Sequence, residues 1–200
     1  MAGTFKQRKI RGMFAAFDVD GDGYLQRDDF EALAGRWGRL PGVEAGSELQ
    51  ARVDAVSLGW WETLLAAADA DNDGKVDIDE FFSVVDRLPS MRAAVTATAD
   101  TLFDAVDQNG DGRISRTEHR RLIEAWHGLE VDTDEVFALL DLDGDGHLSR
   151  SEFATLWTQF WLSDDPADPG NHVCGRIPDQ SVTGEVCREP RPGEPSRSPH

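Results

Sequence analysis

Cysteine is scarce in this chain: only Cys174 and Cys187 occur among 200 residues. Two thiols in a polar C-terminal region, not spaced as a zinc or redox pair, suggest neither a disulfide framework nor a thiol catalyst. Methionine is also rare, with three residues, and there is one tyrosine. Positive charge is short: 20 Lys and Arg stand against 38 Asp and Glu, a formal net charge of -18. Nucleic-acid backbones need clusters of Lys and Arg, so that balance argues against a nucleic-acid partner and points to cations instead. No segment approaches the roughly 18 unbroken apolar residues of a membrane span, and Met1 to Arg11 has no apolar run of signal-peptide length. Ala2 removes the glycine that N-myristoylation requires. The expectation is a cytoplasmic monomer with no membrane association. Its 40% hydrophobic content is enough to bury a core.

What the chain has in abundance is acid at fixed spacing. Two tandem stretches carry oxygen side chains at alternating positions: Asp107, Asn109, Asp111, Arg113, Ser115, Glu118, and Asp141, Asp143, Asp145, His147, Ser149, Glu152. Ca²⁺ takes six to eight oxygens at about 2.3–2.6 Å, and a twelve-residue loop with ligands at positions 1, 3, 5, 7, 9 and 12 supplies such a shell. Position 7 contributes only its backbone carbonyl, so it tolerates Arg113 or His147, and a Glu at position 12 is long enough to be bidentate. Gly112 and Gly146 stand at position 6, where the turn demands positive φ.

The pattern occurs twice more. Asp18, Asp20, Asp22, Tyr24, Gln26 and Asp29 form one loop around Gly23; Asp69, Asp71, Asp73, Lys75, Asp77 and Glu80 form another around Gly74. Asp29 is one methylene shorter than the usual Glu. A lower coordination number should follow, favouring Mg²⁺ or weaker Ca²⁺ binding in that loop. The Asp69 loop is the richest in carboxylates.

Each loop lies between apolar stripes of helical period. Ile10, Met13, Phe14 and Phe17 precede the first; Phe30, Leu33 and Trp37 follow it. Ser47 with Gln50 reads as a capping box opening a helix of about twenty residues through Val53, Trp60 and Leu64, and Thr4 with Gln7 as another. Phe81, Val84 and Val85 follow the second loop and Pro89 ends their helix. Met91, Val95, Leu102 and Val106 lead into the third loop; Leu122 and Trp126 follow it, closed by Gly128. Asp132 or Thr133 caps the next helix, which carries Val136, Phe137 and Leu140, and the last stripe is Phe153, Leu156, Trp157 and Phe160. His119 stands where the other three exit helices have Phe30, Phe81 and Phe153, and reads as a packing substitution. Position 8 is Leu25, Val76, Ile114 or Leu148, branched aliphatics suited to a two-stranded ribbon between loops.

These four loops resemble the EF-hand family, the Asp107 and Asp141 loops at every ligand position and the Asp18 loop with Asp29 as its departure. The resemblance implies an all-α fold with four EF-hands in two pairs packed as a compact globule, each pair with a short two-stranded ribbon between its loops. The expected divisions are residues 1–88, 89–163 and a Pro/Gly-rich, mostly disordered tail over 164–200, since seven of nine prolines lie from Pro166 onward. The long first interval between loops, the break at Pro89 and the short acid Asp29 are similar to the sarcoplasmic calcium-binding proteins and calerythrin. Those relatives often have a degenerate second loop, whereas Asp69 to Glu80 is complete, so up to four Ca²⁺ are expected. Coelenterazine photoproteins share this architecture and line a cavity with Trp, His and Tyr; the tyrosine partners are missing here, and the six tryptophans read as core. No paired nucleophile and base or phosphate-cradling loop occurs, so an enzyme is not expected. A calcium sensor exposes a Met-rich groove on opening. The scarcity of Met therefore favours a calcium buffer over a sensor.

Overall fold

The computed structural model describes residues 2–85, 92–130 and 132–175. Eight α-helices lie among them: α1 (Ala2–Phe17), α2 (Arg27–Trp37), α3 (Glu48–Ala68), α4 (Ile78–Val85), α5 (Arg92–Val106), α6 (Arg116–His127), α7 (Asp134–Leu140) and α8 (Arg150–Leu162). Two three-residue strands, β1 (Arg113–Ser115) and β2 (His147–Ser149), and a 3₁₀ turn over Pro169–His172 complete the set. The all-α fold with paired hands is as expected. The Pro89 break, the Thr4 cap, Cys187 and the tail beyond Gly175 lie outside the described residues or side chains.

Capping residues set the helix ends. Ser47 Oγ accepts the Gln50 N–H at 3.1 Å and starts α3, although Gln50 Oε1 turns to the Gly46 N–H and does not close the reciprocal box. Ser115 with Glu118 and Ser149 with Glu152 form full capping boxes for α6 and α8. Gly128, at φ 72°, ends α6 in the left-handed conformation that costs a glycine little. Before α7 it is Asp132 that accepts, from the Asp134 N–H at 3.0 Å; the Thr133 hydroxyl is buried without a partner.

The loops pair in twos. Ile114 lies opposite Leu148 in the antiparallel β1–β2 ribbon, and Leu25 bridges Val76 through N–H···O bonds of 2.8 and 3.0 Å. All four position-8 side chains are fully buried, as alternation across a ribbon packed on helices requires.

The two pairs then bury their helix faces against one another. Trp37 of α2 meets Trp126 of α6 with ring centroids 5.2 Å apart, and Phe17 of α1 lies 5.6 Å from Trp126 and 6.4 Å from Trp161. Trp60 Nε1 donates to Thr98 Oγ1 at 2.8 Å across the same seam. At its edge Asp104 of α5 accepts from Arg52 of α3 and Arg150 of α8, which together hold its carboxyl below the usual range against the opposing effect of burial. The α2–α3 connection reaches the second half too: a Cβ on Gly42 would sit 2.6 Å from the Ala105 carbonyl oxygen and 3.4 Å from that of Asp107.

Residues 163–175, at the start of the Pro/Gly-rich segment, pack against α7 and α8. Asn171 and Val173 are wholly buried, and Cys174, far from being a solvated thiol, is buried enough that its pKa rises. His119 Nε2 donates to the Val173 carbonyl at 3.3 Å, and His127 Nε2 lies 3.0 Å from that of Cys174. Burial lowers the His119 pKa to about 4, so the ring is neutral at pH 7. A Cβ on Gly170 would collide with the Leu156 carbonyl and the Gln159 side chain, which is why glycine can pass there.

Lys9 of α1 clamps the same segment, donating from Nζ to the Ser163 carbonyl at 2.8 Å and Asn171 Oδ1 at 3.2 Å. Burial lowers its pKa to about 8, with the Asp164 carboxylate opposing and Lys6 reinforcing the shift. The unfolded lysine keeps its proton until about pH 10.4. Between these values the unfolded chain binds more protons, so this group's contribution to stability rises with pH through that window. Lys9→Met should remove that rise; subtracting its urea-unfolding profile from the wild-type profile between pH 7.5 and 10.5 isolates it.

Candidate metal centres

Each loop is built by its own backbone before any ion is considered. Gly23, Gly74, Gly112 and Gly146 have φ between 79° and 89°, which swings the next N–H groups inward. In the first loop Asp18 accepts N–H groups from Gly21, Asp22 and Gly23 at 2.8–3.1 Å, and Asp22 accepts that of Tyr24 at 2.9 Å. The same lattice recurs around Asp69 with Asp73 and Gly74, around Asp107 with Asp111 and Gly112, and around Asp141 with Asp145 and Gly146. Position 4 is also left-handed: Gly21, Gly110 and Gly144 fill it in three loops and Asn72, at φ 61°, in the second. The ligand pattern alone does not reveal that constraint.

The outcome is convergent oxygen. Carboxylates of Asp18, Asp20 and Asp22 lie within 4.8 Å of one another, as do those of Asp69, Asp71 and Asp73, and those of Asp141, Asp143 and Glu152. In the third loop position 3 is an amide: Asn109 Oδ1 accepts the Asp111 N–H at 3.1 Å, and its Nδ2 donates to Asp111 Oδ2 at 2.8 Å. These donor sets fit a hard divalent cation, which oxygen ligands suit. Bound there, Ca²⁺ would supply the positive charge that offsets the clustered acids.

Positions 9 and 12 have a second task. Position 9 opens the exit helix and position 12 is its third residue, so S-x-x-E is at once a capping box and half of an ion site. Glu118 accepts N–H groups from Gln108 and Ser115, Glu80 from Ala70 and Asp77, and Asp29 from Val19 and Gln26, all at 2.8–3.0 Å. Glu152 differs: Oε2 accepts from Ser149, while Oε1 is buried with no partner. An unmet buried acceptor costs on the order of 1–3 kcal/mol, which a cation would relieve. Asp29 is buried, and desolvation raises its pKa despite the N–H bonds from Gln26 and Val19.

Position 7 side chains point outward and tie loops together. Lys75 Nζ lies 4.8 Å from the centroid of the Tyr24 ring, and Arg113 pairs with Asp145 at 3.2 Å across the second ribbon. Gln26 Nε2 donates to Asp22 Oδ2 at 2.8 Å, and Asp77 Oδ1 caps α4 through the N–H groups of Asp79 and Glu80.

The chain belongs to the EF-hand family: the EF-hand domain pair matches residues 7–86, 60–124 and 96–158. Within it, this is a calcium-binding protein related to the sarcoplasmic calcium-binding proteins. It is 30% identical over 111 residues to the sarcoplasmic calcium-binding protein alpha chain of Penaeus vannamei, covering 52% of this chain and 58% of that one. Against sarcoplasmic calcium-binding protein 1 of Astacus leptodactylus it is 29% identical over 139 residues, 60% and 72% of the two chains. The chain thus spans less than two thirds of the length of several curated relatives it matches. Among solved structures, a Streptomyces coelicolor calcium-binding protein, described as mediating prokaryotic calcium-dependent regulation, superposes with a TM-score of 0.65 at 26% identity over 77% of this chain and 96% of that one. The sarcoplasmic protein of amphioxus shares the fold, with a TM-score of 0.65 at 22% identity over 87% and 98%.

Two outcomes follow from the position-12 acids. Glu152→Gln should abolish the tightest calcium-binding phase in calorimetry while leaving weaker phases in place; loss of only the weakest phase contradicts the preorganisation of the fourth loop. Asp29→Glu should raise Ca²⁺ affinity in the first loop severalfold and lower its relative preference for Mg²⁺, measured by competition titration.

Proposed function

We propose that this protein is a calcium buffer or transporter, holding up to four Ca²⁺ through the ligand sets ending at Asp29, Glu80, Glu118 and Glu152, with Mg²⁺ tolerated at the first. The observation that carries the reading is the seam between the pairs. Trp37, Phe17 and Trp126 already cover one another, so the faces a sensor would present to a target helix are spent on intramolecular packing. The kinship with sarcoplasmic calcium-binding proteins supports it. The reading is of a binding protein, with no catalytic role.

A sensor is the second reading. It draws on the regulatory role named for the Streptomyces coelicolor neighbour, and on residues 163–175, which seat against α8 and bond to His119 and His127 and could vacate that seat for a partner. Calorimetric stoichiometry combined with an environment-sensitive dye separates the two. A buffer should bind more than two Ca²⁺, take up less dye when loaded than when stripped by chelator, and ignore an amphipathic calmodulin-target peptide. Calcium-induced dye uptake with micromolar or tighter peptide binding would establish the sensor instead.

A further inference from the structure

The four loops differ at one atom that the ligand spacing does not disclose, the second oxygen of the position-5 carboxylate. In every loop the first oxygen, Oδ1, accepts the N–H of position 7, at 2.8–2.9 Å for Asp22, Asp73, Asp111 and Asp145. Oδ2 is met differently each time. Gln26 Nε2 donates to it in the first loop and Asn109 Nδ2 in the third, both at 2.8 Å, and both are neutral amides of the same loop. That of Asp73 has no partner among the described residues. In the fourth loop Arg113 Nη1 donates to Asp145 Oδ2 at 3.2 Å, so the partner there is a full positive charge and comes from the neighbouring loop.

Two further observations set this pair apart. The ribbon of the first pair also carries a cation at position 7, Lys75, yet that side chain lies over the Tyr24 ring and leaves Asp22 to the Gln26 amide. The carboxylates that converge within 4.8 Å come from positions 1, 3 and 5 in the first two loops, whereas in the fourth the trio is Asp141, Asp143 and Glu152. The acid that the arginine holds is the one missing from that cluster. His147 Nδ1 also lies 3.9 Å from Asp145 Oδ1, but only the guanidinium is charged at every working pH.

We propose that Arg113 sets the calcium affinity of the fourth site by competing with the ion for Asp145, as a positioning residue that the third loop supplies and that acts through another loop's ligand. A cation already paired with a carboxylate repels a second one arriving there, and the pairing must loosen before Asp145 can turn to the other three acids. Glu152, with its unmet Oε1, favours ion entry. Arg113 opposes it, and the affinity of this site is the balance of the two. The Arg113 and Asp145 side chains are 54% and 42% exposed, so solvent and salt screen the repulsion and hold its effect to a severalfold change. The inference rests on calcium occupying the fourth loop.

The test reads each loop separately, by two-dimensional NMR of the full-length chain with isotope-labelled glycine. The position-6 N–H groups of Gly23, Gly74, Gly112 and Gly146 donate to Asp18, Asp69, Asp107 and Asp141, so their resonances report the four sites one by one during a Ca²⁺ titration. Arg113→Gln keeps a hydrogen-bond donor and removes the charge. It should lower the free Ca²⁺ concentration at the Gly146 midpoint about fourfold in about 0.1 M salt, a larger change than at Gly112, and leave Gly23 and Gly74 unmoved. Arg113→Lys should restore the wild-type midpoint. In about 1 M salt, where the Debye length falls to about 3 Å, wild type and Arg113→Gln should coincide. A Gly146 midpoint that is unchanged or raised in Arg113→Gln, a shift shared equally by all four loops, or a difference that survives high salt overturns the role of Arg113 alone. A Gly146 resonance that never responds in the wild type overturns the fourth site and the inference with it.

Discussion

The carboxylate at position 12 of each loop is the group on which the rest of the structure depends. It sits at the third residue of an exit helix and reaches back to backbone N–H groups of its own loop, so it fixes where the helix starts and how the loop closes. In Glu118 that reach spans ten residues to Gln108 and three to Ser115, locking loop and helix into one unit. An ion would compete with those N–H groups for the same oxygens, so ion binding and helix capping draw on a shared resource. Glu80 and Asp29 sit in comparable webs, and Glu152 keeps one oxygen apart. The four loops are therefore unequal for a reason that lies in the protein's own hydrogen bonds, beyond the number of acids each contains.

The acids also explain why so much aromatic surface is needed. Clusters of like charge repel, and that repulsion works against the compact state. The two hand pairs offset it by burying Phe and Trp rings of α1, α2, α6 and α8 against one another in the seam. Packing of this kind is rigid where a Met-lined surface would be adaptable.

How far the sequence reveals this depends on whether a feature follows a rule of spacing. Coordination geometry dictates residue type at set intervals, so the loops, their position-6 glycines and the ribbon partners Leu25, Val76, Ile114 and Leu148 could be read directly. Helical period disclosed the stripes, although Trp60 of α3 proves only half-buried. Residues 163–175 obey no period. Their docking rests on single contacts, Val173 on His119 and Asn171 on Lys9, which no regular pattern announces. His119 was legible as a packed residue but not as a donor to a segment 54 positions away. The one available sign was its substitution for phenylalanine, which exchanges a ring that can only pack for one that can also bond.

The glycine at 42 bears on how the hands communicate. With only a hydrogen in place of a side chain, the first pair's connecting loop rests on the last turn of α5, the turn that delivers Asp107 to the third ion site. That close backbone contact leaves no room for a side chain at 42 unless the loop or the end of α5, which carries the chain into Asp107, moves. A side chain here would press on a candidate centre to which residue 42 itself contributes no ligand.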